Sequence, residues 1–365
     1  MSSSIPFPTV PSAGSSPARE ERGPPTIQDV AREAKVSTAT VSRALSAPDR
    51  VAEATRHAVM AAIERTGYRV NQTARNLRRQ RTGAIVVLVP NIGNPFFSRV
   101  LAGIEAAASR EGLNVLIADS QQAQARDGQL RNYLHDNRAD GIISLDGSLS
   151  DGFFAAANRG RPPVVYACEW SPGTRLPSIR FDNEGGAALA VRHLVELGHR
   201  RIGHILGPAD NVLTHARQAG VERALDACGL AVRRDWFFEG DFSLAAGARA
   251  AQAWLGMAER PSAVTASSDE MACGFMSELH RAGVAVPRDV SVVGFDDIDI
   301  SERFIPGLTT IRQPRQEIGG RAASVLIGLI AGGGQSDDGA PASEMLPATL
   351  VVRGSTQPAG SMELR

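Results

Sequence analysis

Apolar residues recur at i, i+3, i+4, i+7 from Ile27 through Val30 and Ala31 to Ala34, one face of a short helix that Thr26 can cap. Lys35 breaks the period, Ser37 is a good N-cap, and Val41, Ala44 and Leu45 form the stripe of a second short helix. A third is predicted over Glu53–Thr66, with Thr55, Val59, Ala62 and Ile63 facing inward to close a three-helix core. Two short helices at the first spacing make a helix-turn-helix.

After Thr82 the pattern changes to strand-sized apolar runs alternating with helical periods. AIVVLVP precedes a predicted helix Phe97–Arg110, NVLIA one over Gln124–Asn137, and GIISL one around Phe153–Asn158. The alternation then restarts. RIGHIL precedes Thr214–Cys228, AVTAS precedes Glu270–Ala282, and VSVVGFDD comes near the end. Alternating β and α elements in two sets predict an α/β chain: a three-helix headpiece, then two doubly wound lobes.

The formal net charge of zero hides an uneven distribution. Residues 26–81 hold eleven Lys and Arg against five Asp and Glu, a net of +6, while residues 82–365 carry −6. The positive charge gathers where a polyanion would be met. Residues 1–25, rich in Ser and Pro and without an apolar core segment, read as a disordered tail and not as a signal peptide, which implies a cytoplasmic protein. No apolar run reaches the roughly 20 residues of a membrane span. Cys168, Cys228 and Cys273 lie far apart and form no CxxC pair, so they read as core thiols. His193, His199 and His204 straddle a helix end and a strand start, which gives no metal-ligand geometry, and no cofactor is expected.

The second helix turns Thr38, Ala39, Ser42 and Arg43 outward. Its small side chains permit close approach to a major groove, and Arg43 has the fork that guanine O6 and N7 accept from. Asn71 to Arg81 contains no acid and carries four arginines, a basic linker on composition alone. In a doubly wound fold, ligands sit at the carboxyl ends of strands. Phe96, Phe97, Asp119 and Asp146 follow strand runs of the first lobe, and Arg217, Phe242, Asp269 and Asp296 those of the second. Aromatic faces with an arginine and a carboxylate suit a small polar ring.

The run T-I-x-D-V-A, then V-S-x-x-T-V-S-R-x-L and GYRVNQTARNLRR, resembles the N-terminus of the lactose-repressor (LacI/GalR) family. The family often has Gly or Asn where Lys35 stands, at a position expected to be left-handed, and Pro where Val70 stands. The body also resembles that family's periplasmic-binding-protein-like core, through NPFFSRVLAGIE, HLVELGHRRIGHILGP, SSDEMACG, VSVVGFDDI and VVRGST. The nearest likeness is to its cytidine- and purine-responsive branch, through NPFF, ACEW and EGDF.

The resemblance implies a transcriptional regulator, most simply a repressor, that reads a pseudopalindromic operator as a homodimer. The DNA-contacting set it implies is Thr26, Ser37, Thr38, Ala39, Thr40, Ser42 and Arg43, followed by Asn71, Ala74, Arg75, Leu77 and Arg78 of a hinge helix, with Leu77 as a minor-groove wedge. The eight cleft residues named above would hold the effector: a nucleoside or nucleobase, with a sugar as the alternative. Expected boundaries are a tail 1–25, a headpiece 26–70, a hinge 71–82, a core 83–357 and a tail 358–365. Within the core, lobe 1 would take about 83–180 and 314–344, and lobe 2 about 181–313 and 345–357. The chain ends without a leucine-heptad tail, which favours a dimer over a tetramer. A solute-binding protein would share the body without the headpiece, and no GxSxG, P-loop or usable Ser/His/Asp set points to an enzyme.

Overall fold

The computed structural model describes residues 25–68, 81–121, 139–155, 162–332 and 343–360. It divides after Arg75 into two compact units.

In the first unit, α1 (Ile27–Glu33), α2 (Thr38–Ser46) and α3 (Glu53–Thr66) surround a core of Val30, Ala31, Val41, Ala44, Val59 and Ala62. Asp29 folds back on the start of α1, accepting from the Thr26 backbone N–H at 2.9 Å and hydroxyl at 2.7 Å. These bonds hold its carboxyl below the usual range. The turn into α2 needs a left-handed residue, and Lys35 fills it with φ 53°. A β-carbon costs about 1 kcal/mol or more there, and the Val36 N–H bond to Ala31 O at 3.0 Å fixes the conformation.

In the second unit, β1 (Ala84–Val89), α4 (Phe96–Arg110), β2 (Asn114–Asp119), β3 (Gly141–Ser144), α5 (Asp151–Ala155), β4 (Val164–Ala167) and β5 (Ser178–Phe181) build the first lobe. The chain then crosses to α6 (Asn183–Glu196), β6 (Ile202–Ile205), α7 (Val212–Ala227), β7 (Phe237–Phe238), α8 (Leu244–Gly256), β8 (Ala263–Ala266), α9 (Asp269–Arg281), β9 (Ser291–Asp296), α10 (Asp299–Arg303) and β10 (Thr309–Arg312). It returns through α11 (Arg315–Ile330) and β11 (Ser343–Leu346) to the first lobe and ends with β12 (Thr349–Val351) in the second.

The sheet orders are β11-β5-β4-β3-β1-β2 and β12-β10-β9-β8-β6-β7. All pairings are parallel except β12 with β10. Strands β1, β3 and β9 are buried along their whole length, which explains their unbroken apolar runs. In both sheets strand order reverses at the first strand, β1 or β6, so the crevices open beside the carboxyl ends of β1 and β3 and of β6 and β8. Three crossings close together bring those ends face to face, and Phe181 meets Phe295 edge-on at 5.8 Å where they pass. The predicted helix Gln124–Asn137 lies outside the described residues.

Candidate functional site

On the headpiece, Ser37 caps α2 by accepting the Thr40 N–H at 3.1 Å, and its hydroxyl also meets that of Thr40 at 2.9 Å. Thr26 and Thr40, both expected at DNA, are thus engaged in capping. Ser37, Thr38, Ala39 and Arg43 are exposed, with Ser42 half-buried among them. The face is uncharged except for Arg43, as a groove-entering helix requires. Asn71, Ala74, Arg75, Leu77 and Arg78, and with them Val70, lie outside the described residues.

Between the lobes a cleft is lined by Asn94, Phe96, Phe97, Cys168, Glu169, Leu213, Arg217, Phe242, Ser268 and Asp296. Five of the eight expected cleft residues come together here: Phe96, Phe97, Arg217, Phe242 and Asp296. Three do not line it. Asp119, at the end of the edge strand β2, lies near the Ile92 N–H at 3.4 Å. Asp146 is turned onto its own loop, accepting from Ser148 N–H at 2.8 Å, from Ser148 Oγ at 2.6 Å and from Ser120. Asp269 is wholly buried, accepting from Ile298 N–H at 2.9 Å, Ser301 Oγ at 2.6 Å and the Thr310 hydroxyl. Following a strand was necessary for a place in the cleft and not sufficient. Short Asp side chains next to Ser, Thr and backbone donors satisfy themselves locally.

Arg217 organises the site. It projects from α7 and is 2 % exposed. Its Nε donates to Asn183 Oδ1 at 2.9 Å, its Nη1 donates to Ser267 O and lies 3.8 Å from Asp296 Oδ1, and its guanidinium stacks 4.0 Å from the Phe295 ring centroid. Its Nη2 has no partner among the described residues, and one turn earlier on α7 neither has the buried hydroxyl of Thr214. A buried donor without an acceptor costs on the order of 1–3 kcal/mol, which a ligand oxygen or ring nitrogen would recover.

Asp296 accepts from Gln313 Nε2 at 2.7 Å, and burial raises its pKa against the pull of Arg217. Cys168, Phe242 and Asp296 line the cleft with φ of 66°, 65° and 121°, and Asp297 beside them has 55°. Such backbone costs about 1–3 kcal/mol per residue and gathers at ligand sites. Gly207 makes room for the Phe242 ring, which a β-carbon would meet at 2.4 Å.

Glu169 was missed, although the β-branched run before it and its place after a strand carried the signal that flagged the others. It belongs to the first lobe, accepts from Gly147 N–H at 2.9 Å, and accepts across the cleft from Asn211 Nδ2 at 3.0 Å. Arg99 joins Asp299 at 2.9 Å, likewise from lobe to lobe. Burial pushes the Glu169 carboxyl from 4.5 to about 7. Between those values the folded chain holds a proton that the unfolded chain releases. The stabilisation tied to that proton is complete below 4.5 and is lost as pH rises through about 7. The expected loss is roughly 3 kcal/mol, and Glu169→Gln should flatten that part of the stability profile in urea titrations from pH 5 to 8. An unchanged slope would place the titration elsewhere.

Cys168, read as a core thiol, is buried but lines the cleft, and burial drives its pKa upward, away from nucleophilic thiolate. His199 and His204 serve as hydrogen-bonded struts, the first to Ser262 and Ser291, the second to Thr265 and Ser267.

A helix-turn-helix unit joined to a two-lobed, cleft-bearing unit defines a ligand-sensing DNA-binding regulator. Residues 26–71 match the bacterial regulatory proteins of the lacI family, and residues 191–356 match the periplasmic binding protein-like domain. The chain is 39 % identical over 340 residues to the HTH-type transcriptional repressor CytR of Escherichia coli K12, covering 93 % of this chain and 98 % of that one. Among solved structures it is similar to the lac repressor dimer bound to operator and the anti-inducer ONPF (TM-score 0.78, 30 % identity, 92 % and 100 % coverage). It is also similar to a CelR–cellobiose complex (TM-score 0.68, 32 % identity, 91 % and 99 % coverage). The protein belongs to the lacI family of transcriptional regulators. No helix among its described residues is long and apolar enough to cross a membrane.

Proposed function

We propose that this protein is a cytoplasmic, homodimeric repressor whose affinity for a pseudopalindromic operator is set by a nucleoside or nucleobase in the interlobe cleft. It is a binder and not an enzyme. The observation that carries the effector reading is the unpaired Nη2 of buried Arg217 among Phe96, Phe97 and Phe242. A planar ring stacks on the phenylalanines, offers an acceptor to Arg217, and presents donors to Asp296 and Glu169. The likeness to CytR over nearly the whole chain supports it.

With a free volume of about 30 Å³, the cleft has room for one or two waters, so a ring enters only if the lobes part. The Glu169–Asn211 and Arg99–Asp299 bonds are then the contacts that effector binding exchanges. Lobe motion would be passed to the headpieces through the segment containing Asn71, Ala74, Arg75, Leu77 and Arg78. Ile305, 92 % exposed, and Ile300 on α10 offer apolar surface to a second copy.

The deciding experiment is a thermal-shift screen of cytidine, adenosine, hypoxanthine, ribose and cellobiose, repeated as a titration of operator affinity. A shift with a nucleoside or base that also changes DNA affinity is expected. A response to the sugars alone would transfer the site to carbohydrate, the reading that the cellobiose-bound relative favours.

On the headpiece, Arg43→Ala should weaken a selected operator by about 10- to 100-fold and relax the preference at one base pair, with non-specific DNA affinity nearly unchanged. Equal weakening on all sequences in anisotropy titrations would make Arg43 a phosphate contact.

A further inference from the structure

A second cavity, at the opposite end of the second lobe, is larger than the cleft. The cleft uses the carboxyl ends of β8 and β9, through Ser268 and Asp296. The second hollow lies at their amino ends, where His199–Arg201 precede β6, Ser262 precedes β8, and Arg288 and Asp289 precede β9. Strands of four to six residues separate the two by roughly 15–20 Å. The hollow offers about 350 Å³, against about 30 Å³ in the cleft. That is the size of a small-molecule site.

Its walls have a definite chemistry. Arg200 and Arg201 are exposed and form no ion pair among the described residues, whereas Arg288 is paired with Asp289 through two 3.0 Å bonds. His199 adds no charge, because burial lowers its pKa and both ring nitrogens are engaged, with Ser262 at 3.0 Å and Ser291 at 3.1 Å. Two exposed arginines with no ion pair among the described residues therefore line a hollow on a body whose net charge is negative. Guanidinium forks match phosphate oxygens in geometry and charge. Among the described residues the wall offers no open aromatic face on which a base could stack, since its only aromatic ring, that of His199, is buried. Asp289 keeps lone pairs for hydroxyl donors beyond its bonds to Arg288 and to the Ala285 N–H at 2.7 Å.

We propose that this hollow is a second small-molecule site that takes a phosphorylated sugar, with the phosphate between Arg200 and Arg201 and the hydroxyls toward Asp289. It is independent of the cleft and of whatever the cleft binds. The test is calorimetric titration of the full-length protein with glucose 6-phosphate and ribose 5-phosphate, beside inorganic phosphate, glucose and AMP. Saturable binding of at least one sugar phosphate, one per chain, is expected, with phosphate and glucose each at least tenfold weaker. The double substitution Arg200→Gln and Arg201→Gln should weaken it at least tenfold while leaving the melting profile and operator binding intact. Arg217→Lys in the cleft should leave it unchanged. Absence of saturable sugar-phosphate binding, indifference to the double substitution, or equal or tighter binding of phosphate alone or of AMP would overturn the proposal.

Discussion

Replacing Arg217 with methionine is expected to abolish the response to effector while the headpiece still binds DNA. Among the described residues the guanidinium is the only cation lining the cleft, and its Nη2 is the donor a ligand would satisfy. Truncating one partner of a buried, charge-assisted contact costs about 2–5 kcal/mol, so effector affinity should fall by at least ~30-fold and by as much as several thousandfold. The same change removes from buried Asp296 the guanidinium that lies 3.8 Å away in the native chain, leaving Arg315 as the cation that still acts on it. Breaking such a pair costs about 3–5 kcal/mol, partly relieved when Asp296 takes up a proton. The variant should therefore be least destabilised at acidic pH, where that carboxyl is neutral. Arg217→Lys, which keeps the charge and loses the fork, separates the effects: it should fold nearly normally and still bind effector weakly. Undiminished effector affinity in Arg217→Lys and Arg217→Met alike would remove Arg217 from the ligand site.

Asp269→Ala is expected to be the most destabilising single change in the second lobe outside its apolar core. Three donors converge on this carboxyl: the Ile298 N–H, the Ser301 hydroxyl and the Thr310 hydroxyl. Gly294 leaves space for it, since a β-carbon there would stand 2.2 Å from Asp269 Oδ1. Stranding three buried donors at roughly 1–3 kcal/mol each is offset by no longer desolvating a carboxylate, which leaves a net loss of about 3–5 kcal/mol in chemical denaturation. Because Ile298 and Ser301 belong to the segment that follows Asp296, the cleft should loosen as well, and Asp269→Asn should lie between wild type and Asp269→Ala. If Asp269→Ala lowered effector affinity with stability untouched, Asp269 would be a ligand contact after all.

The contrast between these two residues shows how far the chain could be read. Arg217 and Asp269 both sit on or beside a helix that follows a strand, and both looked like effector ligands. Nothing local separates a side chain that points into a crevice from one folded onto a neighbouring strand. Thr310 and Ser301, which hold Asp269, are 41 and 32 residues away. Glu169 followed a strand as the others did, but its partner Asn211 is 42 residues on, in the other lobe, so its turn into the cleft had no local sign. Asp146 was recoverable in principle, because its partner Ser148 is two residues away and Asp–x–Ser turns are a local competitor of any ligand role. The segment from Asn71 to Arg78 lies outside the described residues.

The chain's own order of residues determined the helix-turn-helix, because caps, left-handed turns and helical periods are interactions over three or four residues. Ser37 capping Thr40 and Lys35 at φ 53° are of this kind. It also determined the inner strands β1, β3, β6, β8 and β9, since strands buried on two faces are written as largely apolar runs, whereas the edge strands β7, β11 and β12 carried no such signal. Only the tertiary structure decided which residues meet. Three crossings between the sheets bring Phe96, Glu169, Arg217 and Asp296 to one cleft. They also leave Arg200 and Arg201 around a hollow at the far end of the same strands. A side chain's partners across the sheet are chosen by packing of segments tens or hundreds of residues apart, and that choice has no local signature in the sequence.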